Sequence, residues 1–207
     1  MIGEGKILVS DVKISVAGKE LKSTQYGSDY AAEYRRILST YVRPSAKNFL
    51  EWGAGYTTKM LVEHIDARGG GAECFVTIDN NASYLRDVLS DTKADYLYPV
   101  PMDVNGPCVN DRDEGYNYSS YPLTLKRKFD FIFIDGRRRV ECSYISSVIS
   151  HEDTIVVMHD YRRSRYQSVR AIFDIIEDGE QFRVMRVRPD VLKAMSVSSE
   201  LVSALVS

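Results

Sequence analysis

The chain has 207 residues, 44% hydrophobic and 27% charged, enough for one domain with a full core and a short extension. Net charge is −2 at pH 7, so bulk charge draws it neither to nucleic acid nor to an anionic membrane, and any such binding must come from a local patch. The three cysteines, Cys74, Cys108 and Cys142, are far apart and odd in number, which excludes a disulfide framework and a C-x-x-C zinc site and points to a reducing, cytoplasmic setting.

In chain order, "KILVSDVKISVAGKEL" alternates apolar and polar residues and predicts one or two short strands, with a turn at Ala17-Gly18. Charges and glycines break up this N-terminal segment, so no signal peptide is expected, and no later stretch reads as a membrane span. "SDYAAEYRRILSTYV" places Tyr30, Tyr34, Ile37, Leu38 and Tyr41 at helical spacing, and Pro44 ends that helix. Strands and helices then alternate. "NFLEWG" is a short apolar strand and "YTTKMLVEHIDA" a helix stopped by Gly69-Gly70-Gly71. "ECFVTID" is a second strand, "NASYLRDVLS" a helix, and "DYLYPVPM" a third strand weakened by its prolines. "FDFIFID" is a continuous apolar run suited to the middle of a buried parallel sheet. "VECSYISSVIS" reads as helix, "DTIVVMHD" as strand, "SVRAIFDIIED" as helix and "QFRVMRV" as a late strand. The C-terminal "VLKAMSVSSELVSALVS" suits a last antiparallel strand or a helix, and its apolar residues suit docking or a homodimer contact.

Repeated strand–helix units predict an α/β fold: a Rossmann-like, doubly wound, mostly parallel seven-stranded sheet with an antiparallel last strand and helices on both faces. Residues 1–45 are expected to form an extension packed on a core of residues 46–207. In such sheets a ligand binds outside the carboxyl ends of the strands. Four of these ends carry acids: Glu51, Asp79, Asp135 and Asp160. The polar, tyrosine-rich "DVNGPCVNDRDEGYNYSSYPLTL" interrupts the rhythm. It is either a cover over the site or a surface excursion with a short helix.

"FLEWGAGYTTKML" joins a strand to a helix through two glycines. In a dinucleotide fingerprint a third glycine follows, but here that place is Thr58. No Gly-Lys-Ser/Thr follows either, so a phosphate loop is excluded. A ligand without phosphate, such as S-adenosylmethionine, still needs the tight turn for backbone approach. It also needs an acid for its ribose hydroxyls, which Asp79 can supply, and a polar group near its adenine, for which Asp103 is the candidate.

Four segments, "FLEWGAGYTTKML", "FVTIDNN", "FDFIFIDG" and "DTIVVMHDY", resemble the successive motifs of class I S-adenosylmethionine-dependent methyltransferases over about Asn48 to Arg188. "FIDGRRRVEC" with "VMHDYRRSRY" also resembles a little-characterised bacterial branch of methyltransferase-like proteins. The resemblance implies a methyltransferase with S-adenosyl-L-methionine as cofactor. Gly53 and Gly55 would line its methionine part and Glu51 would support the turn and reach the amino group. Thr57 or Thr58 would bond the carboxylate, Asp79 with Asn80 would take the ribose, and Asp103 would take the adenine. Two plainer readings stand beside these: Glu51 as an acid that only caps backbone amides, and Asp79 as the N-cap of the next helix.

Candidates for the chemistry are Asp135, His159 and Asp160, with Asp135 also at the cofactor's edge. His159 reads as a general base oriented by Asp160, or as a hydrogen-bonded strand-end residue. A divalent metal held by Asp135, His159 and Asp160 is the less favoured alternative, since a histidine in that set does not suit magnesium. The "IDGRRR" segment lacks the proline loop of nucleobase amino-methyltransferases, which argues against methylation of a base's exocyclic amine. Arg137, Arg138 and Arg139 follow one strand, and Arg162, Arg163 and Arg165 the next. Guanidinium forks suit carboxylate or phosphate, so a small anionic acceptor, methylated at oxygen, is expected. An RNA methyltransferase and a non-catalytic cofactor-binding protein of the same fold are the alternatives.

Overall fold

The computed structural model describes residues 15–16, 19–20, 28–102 and 112–196. Asp103, Cys108 and most of the C-terminal segment, all named above, lie outside these residues. Strands β1 (Ser15–Val16) and β2 (Lys19–Glu20) pair antiparallel. Helix α1 (Ser28–Tyr41) follows.

The core is a seven-stranded sheet in the order β5-β4-β3-β6-β7-β9-β8. Its strands are β3 (Asn48–Trp52), β4 (Cys74–Asp79), β5 (Leu97–Pro101), β6 (Phe129–Ile134), β7 (Ser150–His159), β8 (Phe173–Asp178) and β9 (Phe182–Val187). The first five run parallel. Only β9 is reversed, and it lies between β7 and β8. The connecting helices are α2 (Tyr56–Ala67), α3 (Ala82–Val88), α4 (Arg112–Thr124) and α5 (Arg139–Val148). The order reverses at β3, so the crevice between β3 and β6 is the topological switch point where this class of sheet binds ligands.

Alternate residues of the central strands face opposite layers. Leu50, Trp52, Ile132, Ile134, Val156 and Met158 pack with Tyr118 of α4 and Cys142 of α5. Phe49, Phe131, Phe133, Ile155 and Val157 pack on the other side with Tyr34, Ile37 and Leu38 of α1 and Met60, Leu61 and Ile65 of α2. Burial on both faces explains why these strands read as apolar runs rather than alternations. At the strands' amino ends Asp130 accepts from the N–H groups of Lys47 and Asn48, each at 2.9 Å. His151 lies in β7 and bonds Asp130 at 3.1 Å.

Two expected elements differ. "SVRAIFDIIED" is not an α-helix: Ser164–Ala171 is 3-10 helix and Phe173–Asp178 is strand. In that strand Phe173 is buried and Ile175 partly buried, while Asp174, Ile176 and Asp178 are exposed, a period of two that pairing with β9 makes decisive. The long polar segment ends in a full helix, α4, with Pro122 near its end. The C-terminal region begins as helix, over residues 189–196.

Candidate functional site

The turn after β3 is built by close backbone approach. Gly53 has φ +94°, and a Cβ on it would lie 2.5 Å from the Gly136 nitrogen. The turns after β3 and β6 therefore touch backbone to backbone, joined by Asp135 N–H to Trp52 O at 2.8 Å, while Gly53 N–H bonds Ile78 O of β4 at 2.8 Å. Gly136 is required in its turn, because a Cβ there would collide with the buried Tyr118 hydroxyl. Gly55 is different. Its φ of 174° is ordinary extended backbone, and a Cβ would meet only Tyr84 Oη, at 3.6 Å.

Glu51 is fully buried beneath this turn. Its carboxylate accepts from the hydroxyls of Thr57 at 2.8 Å, Thr58 at 2.5 Å and Thr77 at 2.8 Å. Thr58 in turn accepts from Gly55 N–H at 2.9 Å, which fastens the start of α2 to the turn. Burial pushes the Glu51 carboxyl from 4.5 to about 7, against the opposing pull of the three hydroxyls. Glu51, Thr57 and Thr58 thus bond one another, and the acid caps hydroxyls rather than backbone amides.

Asp79 ends β4 and is 7% exposed. Its Oδ2 accepts from Ala54 N–H at 3.1 Å and its Oδ1 from Asn81 N–H at 2.8 Å. It is not the helix cap: Asn81 caps α3 by accepting from Tyr84 N–H at 3.0 Å. Burial raises the Asp79 carboxyl, opposed by the Asn81, Ala54 and Asn80 amides and by the charge of Arg137. Backbone amides take part of its acceptor sites, but two carboxylate oxygens offer about four, so capacity for further donors remains.

At the adjoining ends of β6 and β7, His159 Nδ1 lies 2.7 Å from Asp135 Oδ1. A carboxylate ion-paired to Arg139 at 2.8 Å can only accept. The imidazole must therefore donate from Nδ1, which leaves Nε2 as the basic nitrogen. Asp160 Oδ1 is 4.0 Å from Nε2. Asp160 has φ +59°, and its Oδ2 is taken by Arg163 at 2.6 Å. The Tyr30 and Phe182 rings pack on the imidazole at centroid distances of 5.1 and 5.3 Å.

The six arginines divide. Arg139 is a staple: it donates to the Gly136 and Asp135 carbonyls and, at 2.6 Å, to the His159 carbonyl. Arg138 pairs with Glu141 at 3.0 Å, and Arg163 with Asp160. Arg162 donates to the Gly179 carbonyl and Arg165 to the Tyr166 hydroxyl. Arg137 is exposed, with its charge near Asp79. Among the described residues three of these charges pair with carboxylates, while Arg137, Arg162 and Arg165 form no ion pair, although the Arg137 charge acts on Asp79.

Strand order 5-4-3-6-7-9-8, with one reversed strand next to the edge and a glycine turn at the switch point, decides the architecture. The fold is the class I methyltransferase fold. A methyltransferase-like protein from Silicibacter pomeroyi DSS-3 matches with TM-score 0.58 and 16% identity, over 82% of this chain and 92% of that one. CalS11, a TDP-rhamnose 3′-O-methyltransferase of calicheamicin biosynthesis, matches at 0.53 and 9%, over 78% and 81%. The O-methyltransferase from Bacillus cereus in complex with SAH matches at 0.52 and 17%, over 78% and 82%. No protein-family model matches the sequence, and no curated protein matches it. Likeness at this identity establishes architecture, and function has to be argued from the site.

Sequence reasoning brought Glu51, Gly53, Gly55, Thr57, Thr58, Asp79, Asn80, Asp135, His159, Asp160 and the arginines to one sheet edge. It missed Thr77, Gly136, Tyr118 and the contact of Tyr30 with His159. A lone hydroxyl inside "CFVTID" and a glycine directly after "FIFID" were the available signals. Among the described residues no cluster of three or more metal-ligating side chains occurs. No helix among them is long and apolar enough to cross a membrane.

Proposed function

We propose that the chain is an S-adenosylmethionine-dependent methyltransferase acting at oxygen on a small anionic acceptor. The observation that carries this reading is the convergence of the Gly53–Gly55 turn, Asp79 and the Asp135–His159 pair at the switch point of a class I methyltransferase sheet.

The residues present fit the cofactor. Among the described residues Gly55 has no neighbour that demands glycine, so its missing side chain serves approach by the methionine end. Asp79 holds the ribose hydroxyls with the acceptor capacity left on its two oxygens, and Asn80 stands beside it. Thr57 and Thr58 are committed to Glu51, so only their backbone N–H groups remain for a carboxylate at the start of α2. When bound, the cofactor supplies an electrophilic methyl group on a sulfonium. His159 Nε2 takes the proton of an acceptor hydroxyl, while Asp135 holds the ring and stabilises the imidazolium. Arg139 fixes the distance between the two strand ends that carry this pair. Asp160 is engaged by Arg163 and shapes the turn rather than orienting the imidazole. The pairing of Asp135 with Arg139 and His159 leaves little room for a metal on that carboxylate. Arg137, Arg162 and Arg165, which no carboxylate among the described residues ion-pairs, favour an acceptor bearing carboxylate or phosphate.

Calorimetric titration with S-adenosylhomocysteine tests the reading, with Asp79→Ala as control. Wild-type binding that Asp79→Ala weakens at least tenfold is expected. No binding by the wild type would remove the reading, and equal binding by the variant would remove the ribose role.

A further inference from the structure

Helix α1 precedes the glycine turn and carries none of the strand-end groups, yet it is fastened to the edge of the sheet beside His159. Its Glu33 carboxylate accepts from the N–H groups of Gln181 at 3.0 Å and Phe182 at 3.4 Å, at the β8–β9 turn. Gly179 in that turn leaves space for the carboxylate, since a Cβ there would overlap Glu33 Oε1. Farther along the helix, Arg36 and Tyr41 bind Glu177 of β8. These bonds set the height of α1 over the ends of β7 and β9.

Tyr30 lies one turn before Glu33 on the same side of α1 and is 5% exposed. Its ring meets His159 edge to face, at 84°, and also packs on Phe182 at 4.8 Å. Phe182 covers the imidazole as well, at 41°. The imidazole is thus confined by two rings, while Asp135 holds one nitrogen. A hydrogen bond to one carboxylate oxygen fixes the donor atom but leaves the ring free to swing about it. Two aromatic walls remove that freedom. The charged groups around the imidazole are Asp135 from β6, Asp160 at the end of β7 and Arg139 from α5, whose guanidinium holds the His159 carbonyl.

We propose that Tyr30 is a positioning residue that locks the His159 ring in the orientation with Nδ1 on Asp135 and Nε2 bare, making α1 part of the site. The proposal rests on the reading of His159 as base for its purpose, though not for its test.

The test is nitrogen NMR of the three histidine rings in the full chain at pH 8, assigned with His64→Gln and His151→Gln. In the wild type His159 is expected as a single tautomer protonated at Nδ1. Tyr30→Phe keeps the ring wall and should preserve that pattern. Tyr30→Leu should give exchange-averaged shifts or a mixture of tautomers, and Glu33→Gln, which loosens α1 more gently, should broaden the same signals. A loss of thermal stability alone would reveal a packing role only, so the ring signals decide. An unchanged, sharp single tautomer in Tyr30→Leu overturns the proposal. If that variant does not fold, an unchanged signal in Glu33→Gln does so. Failure of S-adenosylhomocysteine binding would instead sink the methyltransferase reading and leave the tautomer result standing.

Discussion

Gly53 and Gly55 sit one residue apart, but the structure assigns their need for glycine to different causes. Replacing Gly53 with alanine forces a Cβ residue to φ +94°, at a cost of about 1–3 kcal/mol. It also drives the new carbon to 2.5 Å from the Gly136 nitrogen and 2.7 Å from its Cα. That backbone cannot retreat freely, because Asp135 N–H is bonded to Trp52 O and Tyr118 backs Gly136. Overpacking adds about 1–3 kcal/mol, so the sum is roughly 2–6 kcal/mol. In a domain of this size that lowers the melting temperature by roughly 10 °C. Gly55→Ala puts a Cβ into extended backbone, 3.6 Å from Tyr84 Oη. Its folded-state cost is small, and the lower entropy of the unfolded chain offsets it by about 0.4–1 kcal/mol. The assay is paired: thermal unfolding by circular dichroism, and titration with S-adenosylhomocysteine. Gly55→Ala should melt within a degree or two of wild type, yet bind at least tenfold more weakly, a loss of about 1.4 kcal/mol. Equal destabilisation by both variants would refute the distinction, and wild-type binding by Gly55→Ala would refute the ligand-approach role.

Glu51 predicts a pH effect of defined sign: its folded value, about 7, lies above its ordinary 4.5, so the folded chain binds the extra proton and stability from this group falls as pH rises between those values. The change is on the order of 3 kcal/mol; the difference in urea-unfolding free energy between wild type and Glu51→Gln should shift by that order between pH 5 and pH 8, and a constant difference would contradict it. Arg183, 1% exposed, forks onto Asp178 at 2.6 and 2.9 Å and lies over the Tyr161 ring. Arg183→Met should cost about 2–3 kcal/mol in chemical denaturation, below the fully buried range because Asp178 regains water. Arg139→Lys removes the planar fork that reaches Gly136, Asp135 and His159 together. A loss of about 2 kcal/mol is expected despite the retained charge, and a variant within 0.5 kcal/mol of wild type would show that the staple contributes little.

The architecture was legible because its central strands carry apolar runs and its helices are separated by turn residues. Six of the seven strands were readable in the sequence, β5 least so because of its prolines. The exception is instructive. In "SVRAIFDIIED" Phe173, Ile175 and Ile176 satisfy a helical and an alternating period alike over so short a run. What selects the strand is the partner, β9, whose Val184, Met185 and Val187 pair with it, and partnership across a turn is not written in either segment alone. The helix α4 was masked for a different reason. It has weak amphipathic character and a proline at its end, and what anchors its middle is Tyr118, whose carbonyl accepts from the Trp52 indole at 3.1 Å.

Which residues gather at the site was legible, but what they bond to was not. A carboxylate at each strand end is visible in sequence, since the fold places those ends together. Whether such a carboxylate meets a ligand or a neighbour depends on donors elsewhere in the chain. Glu51 and Asp79 look equivalent in sequence, yet Thr77 from the adjacent strand completes the set that commits Glu51 to the interior. Asp79 meets only the backbone of two turns and keeps its capacity. The arginines make the same point. Six positive charges on two loops suggested one anion patch, but the acids of those loops, Asp135, Asp160 and Glu141, ion-pair with three of them. Charge counted along the sequence therefore overstates what an acceptor meets. The remaining attraction rests on Arg137, Arg162 and Arg165, so any anion preference should be carried by these three and should fade with added salt, as exposed charges do.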